Sequence, residues 1–74
     1  MELVLKLSSF DDIKQFIEIT SRYSDNLSLQ NGGYVVDARS ILGIFSMDLS
    51  KPVHLLCEGE NDELKRALTP FIAA

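Results

Sequence analysis

Only one cysteine and one histidine occur in this chain, Cys57 and His54. The single thiol excludes an intramolecular disulfide and suits a reducing compartment, so the cytoplasm is expected. A zinc site would need several carboxylates to complete it, and no metal or other cofactor is read. Tryptophan is absent, and cations are few: seven Lys and Arg stand against eleven Asp and Glu, a net charge of -4. That balance argues against a nucleic-acid surface, which requires clustered positive charge. Apolar runs are short as well. Ile41–Phe45 and Val53–Cys57 fall far below the roughly 20 residues of a membrane span. No basic segment followed by an apolar run opens the chain, so no signal peptide is expected.

What is present suits one small domain, residues 1–74. Surface scaling for 8.3 kDa gives roughly 12,000 Å² unfolded and about 4,600 Å² folded. That burial supports one modest core without a large cavity.

Met1–Leu7 alternates, with Leu3, Leu5 and Leu7 on one side, the pattern of a half-buried strand. The period then changes. Phe10, Ile13, Phe16, Ile17 and Thr20 form a helical stripe, with Ser9 or Ser8 as N-cap and Asp11 and Asp12 at the positive end of the helix dipole. This helix is expected to end near Tyr23, before Ser24-Asp25-Asn26. Leu27–Gln30 and Tyr34–Val36 read as a hairpin around Asn31-Gly32-Gly33, where Asn-Gly supplies positive φ. Asp37 or Ser40 caps a short helix through Ile41, Leu42, Ile44 and Phe45, weakened by Gly43. Pro52 opens a buried strand, Val53–Cys57. Glu60 or Asn61 starts a last helix with the stripe Leu64, Ala67, Leu68, Phe71 and Ile72, bent or frayed by Pro70.

The order β-α-β-β-α-β-α points to an α+β domain: a four-stranded, mainly antiparallel sheet with helices on one face. A ferredoxin-like fold is the alternative, and the extra C-terminal helix and the short second helix count against it.

The same order resembles the HPr family, the histidine phosphocarriers of the bacterial sugar phosphotransferase system, with their open-faced β-sandwich. Arg22-Tyr23, the Asn31-Gly32 turn and the run from Asp37 to Met47 carry the resemblance, and Arg39-Ser40-Ile41-Leu42-Gly43 is its most specific piece. The register runs without gaps from about Lys6 to about Leu56.

The family's carrier site has the pattern Gly-Ile-His-x-Arg-Pro-Ala, with Leu also found at the second position. Here the register places Ser9 at the histidine, Asp11 at the arginine and Asp12 at the proline. Imidazole forms a labile N–P bond, whereas serine would give a stable ester. The arginine supplies positive charge for the phosphoryl group, and Asp11 reverses the sign. At about 5 Å and an effective dielectric near 20, each unit-charge pair is worth roughly 3 kcal/mol. The expectation is a degenerate carrier site with Ser9 serving as a cap. An acyl phosphate on Asp11 or Asp12 would lack a metal-binding acidic cluster.

Ser40 matches the family's second phosphorylation site, modified by an ATP-dependent serine kinase in one branch, where the product binds a transcriptional regulator. Two roles are open for Ser40: a plain N-cap, or a phosphorylated switch. Ile41, Leu42, Ile44 and Phe45 are either core or an exposed docking patch. His54 reads as a strand histidine facing solvent or a carboxylate. Cys57 reads as a small buried residue between acidic neighbours, not a reactive thiol. The run Glu58–Glu63 reads as a solvated turn and helix start. The resulting reading is a non-enzymatic regulatory or protein-binding module. Its partners would be phosphotransferase components, a serine kinase or a transcriptional regulator. The alternatives are a phosphocarrier with an unconventional acceptor and an interaction domain that kept only the fold.

Overall fold

The computed structural model describes residues 1–24 and 26–73. Strand β1 (Glu2–Leu5) leads to helix α1 (Phe10–Thr20), then the hairpin β2 (Leu27–Asn31) and β3 (Tyr34–Asp37). Helix α2 (Ile41–Phe45), strand β4 (Val53–Cys57) and helix α3 (Asp62–Ala67) follow, with a terminal 3₁₀ turn at Thr69–Phe71. The sheet order is β1-β4-β2-β3, and every neighbouring pair is antiparallel. Strand β4 thus fills the gap between β1 and β2.

Period-two alternation decides which side chains enter the core. Leu3, Leu5, Leu27, Leu29, Val53, Leu55 and Cys57 lie on the covered face, with Ile13, Phe16, Ile44, Leu64 and Leu68 packed over them. The folded surface is 4401 Å², close to the expectation from chain mass. The other face carries Glu2, Val4, Ser28, Gln30, His54 and Leu56 and remains partly open. The strand Val53–Cys57 is therefore buried on one side only, because a single layer of helices covers one face of the sheet.

Other boundaries shift for local reasons. Helix α1 stops at Thr20, and Arg22 and Tyr23 continue in tighter turns by donating to the carbonyls of Ile19 and Thr20. Asp25 lies outside the described residues. Positive φ in the hairpin falls on Gly32 (φ 59), the first residue between the paired Asn31 and Tyr34, and not on Asn31. Pro70 sits in the 3₁₀ turn, where the missing N–H is tolerated, so α3 ends cleanly at Ala67. Beyond it Ile72 bridges to Leu5 and is only half-buried.

Candidate functional site

Ser9 is the N-cap of α1. Its extended backbone (φ -136, ψ 165) lets Oγ accept the Asp12 N–H at 3.1 Å. Asp12 returns the interaction, its Oδ2 accepting the Ser8 N–H at 3.0 Å. This reciprocal pair is a close variant of the capping box. Asp11 is exposed in the first turn. The Lys14 ammonium, one turn further on, lies 5.6 Å from the centre of the Phe10 ring, a cation–π contact. The carrier register thus holds a capping hydroxyl and two carboxylates.

Ser40, and not Asp37, caps α2. Its Oγ accepts the Gly43 N–H at 3.1 Å, and its carbonyl accepts from Ile44 at 2.9 Å. Asp37 instead accepts the Arg39 N–H at 2.8 Å. The Arg39 guanidinium then reaches back to α1, donating to the Tyr23 carbonyl at 2.6 Å and the Thr20 carbonyl at 3.3 Å. Helix α1 has no basic residue in its last turn, so Arg39 provides the cation that a helix C-terminus favours. The buried Thr20 hydroxyl donates to the carbonyls of Phe16 and Ala38. These contacts join the end of α1 to the start of α2.

Helix α2 approaches β3 closely. A Cβ at Gly43 would lie 3.0 Å from Val36 Cβ and 3.1 Å from Ser40 Oγ. A side chain there would be tight against both neighbours, so glycine suits the close approach, and its low helix propensity is the accompanying cost. The close approach turns Ile44 fully into the core, at 0% exposure. Ile44 is therefore removed from the set of surface candidates. Ile41, Leu42 and Phe45 remain outside, Leu42 at 80% and Phe45 at 46% exposure.

Phe10 is a second correction. It belongs to the predicted apolar stripe of α1, yet it is 54% exposed. It occupies the first helical position, beyond the reach of the core, and stacks on Phe45 with ring centroids 5.6 Å apart and planes 16° from parallel. Such a pair contributes about 0.5–1.5 kcal/mol beyond its area. The stack joins the start of α1, where the carrier register falls, to the exposed side of α2. Sequence periodicity counted Phe10 as core; its place at N1 before two aspartates was the available signal against that.

The remaining candidates lie elsewhere. His54 Nδ1 is 2.6 Å from Glu2 Oε2 on the open sheet face, a partly solvated pair between neighbouring strands. Cys57 is buried at the end of β4. Asn61 caps α3 through Leu64 N–H, with Asp62 and Glu63 in the first turn. Asp48, in the loop after α2, accepts from the Ser50 hydroxyl at 2.5 Å and the Ser50 N–H at 3.1 Å. Those two hydrogen bonds hold its carboxyl below the usual aspartate range. Among the described residues no three His, Cys, Asp or Glu side chains come together to hold a metal ion, and no helix is long and apolar enough to cross a membrane.

No protein-family model and no curated protein matches the chain. Among solved structures, it is similar to the crystal structure of HPr-C-His from Thermoanaerobacter tengcongensis, with a TM-score of 0.79 and 25% identity. The match covers 97% of this chain and 90% of that one. The chain is HPr-like. The HPr-like sheet, with its three helices, accounts for the described elements. Within it, the carrier register Ser8–Ile13 meets the Asp37–Met47 segment, which carries the resemblance, through the Phe10–Phe45 stack, while the end of α1 meets that segment through the Thr20, Ala38 and Arg39 contacts.

Proposed function

We propose that this HPr-like chain is a cytoplasmic, non-enzymatic protein-binding module of phosphocarrier type. Phe10, Ile41, Leu42 and Phe45 form its docking surface, and phosphorylation of Ser40 switches it. The observation that carries the reading is the exposed Phe10–Phe45 stack. It sits beside a helix start where Ser9 accepts from the Asp12 N–H and Asp12 in turn accepts from the Ser8 N–H. Exposed aromatic side chains of this size are the usual anchors of protein interfaces. A phosphate on Ser40 would introduce about two negative charges next to Ile41 and Leu42 and replace the hydroxyl that now caps Gly43. Partner preference would then change with the charge of the patch.

Two measurements test this. The chain is incubated with ATP and an HPr serine kinase, and its intact mass is recorded. One added phosphoryl group on the wild type, absent from Ser40→Ala, supports the switch; an unmodified wild type refutes it. Recovery of partners from the native cell is then compared for wild type and Phe45→Ala. Identical sets would remove the docking surface. For the carrier reading, phosphoenolpyruvate with the family's first enzyme should leave the chain unlabelled; an acid-labile phosphoprotein would reinstate it.

A further inference from the structure

Asn31 is the only asparagine followed by glycine in the chain; Asn26 precedes Leu27 and Asn61 precedes Asp62. An Asn-Gly peptide is chemically unstable. The Gly32 backbone nitrogen, with no side chain beside it, loses its proton and attacks Asn31 Cγ. The Cγ–Nδ2 bond breaks and ammonia leaves with that proton, closing a five-membered succinimide. Water opens the ring at either carbonyl and yields aspartate or isoaspartate. The balance is amide plus water to acid plus ammonia, and no other reactant is needed.

The fold places opposing constraints on this step. The turn tip is open, since nothing lies within 4 Å of a Cβ built at Gly32 or Gly33. The carboxamide is not open. Asn31 is 8% exposed, and its Nδ2 donates to the Asp48 carbonyl at 2.9 Å and the Pro52 carbonyl at 3.4 Å. These contacts stitch the hairpin to the loop that precedes β4. To reach Gly32 N, the carboxamide must leave both carbonyls, so cyclisation requires local opening of the stitch.

The geometry points to Asn31 as a deamidation site gated by the fold: the native stitch suppresses the reaction, and its product cannot refit. An aspartate at this position would set acceptor oxygens against two carbonyl oxygens in a largely dry site. An isoaspartate would lengthen the backbone by one methylene where β2 ends and disturb the hairpin register. The modification would thus leave a permanent record of past opening in the chain that carries it. This inference is independent of the docking surface.

The test keeps the full chain in native buffer at mildly alkaline pH and, in parallel, in denaturing urea. Conversion is followed by intact mass and located by peptide mapping. Asn31 should convert in urea ahead of Asn26 and Asn61, and in native buffer at least about tenfold more slowly, a factor that an opening free energy of ~1.4 kcal/mol supplies. Equal rates in the two conditions would overturn the gating, and conversion of Asn26 or Asn61 ahead of Asn31 in urea would overturn Asn31 as the labile site. The variant Asn31→Asp should unfold at a lower urea midpoint than wild type at neutral pH. An unchanged midpoint would show that the product does refit.

Discussion

The Arg39 guanidinium donates to the Tyr23 carbonyl at 2.6 Å across the junction of two helices, although the residues are 16 apart in sequence. The same side chain reaches Thr20 and borders Asp37. One residue thereby closes the end of α1 while its neighbour, Ser40, opens α2.

Replacing Arg39 should therefore act on stability. Hydrogen bonds to charged donors contribute about 1.5–3 kcal/mol when well buried, and this side chain is partly solvated. Arg39→Ala is expected to lose about 1–2 kcal/mol in urea unfolding. Arg39→Lys should recover only part of it, since an ammonium lacks the fork that reaches two carbonyls. Full recovery by lysine would show that charge alone matters.

Gly43→Ala opposes two effects. Helix propensity favours alanine by about 1 kcal/mol, but its Cβ would meet Val36 Cβ at 3.0 Å. Overpacking costs about 1–3 kcal/mol, so the substitution should destabilise. Val36→Ala keeps Cβ but removes Cγ1, 3.2 Å from the added methyl, so the double variant should cost less than the sum of the two single changes. A stabilised single variant would mean that α2 moves away from β3 without penalty.

Phe10→Ala and Phe45→Ala separate binding from folding. Each side chain is half exposed, so each loss should be only about 1 kcal/mol, close to the stacking contribution. Partner recovery should fall strongly for both. Ile44→Ala is the contrast: this fully buried residue should cost about 2–5 kcal/mol, the range for large core truncations.

Asp48 sets an acid-side prediction. Its carboxyl lies below the ordinary range because the Ser50 hydroxyl and N–H donate to the charged form. A depressed folded pKa contributes stability above the unfolded value, about 3.9. That contribution is lost as pH falls through the folded value. NMR titration should place the Asp48 midpoint below that of an unfolded aspartate, and Ser50→Ala should move it upward. An unmoved midpoint in Ser50→Ala would remove the hydroxyl as the main cause.

Much of this protein was legible from local chemistry. The period-two leucines of β1, the Ser9 and Ser40 caps, the glycine turn and the buried thiol each follow from propensities that act within a few residues. The resemblance of Arg39–Gly43 pointed to the HPr-like fold for the same reason: short motifs keep their local geometry. Contacts between distant segments were not legible. Phe10 left the core for Phe45, Ile44 took the core where core and surface were both open to it, and Asn31 bonded across to Asp48 and Pro52. A periodic pattern states which face of a helix is apolar, but not how far along it the core extends. Only the docking of α2 against β3, at a distance where even an added methyl would be tight, decides which apolar residues of α2 remain in water.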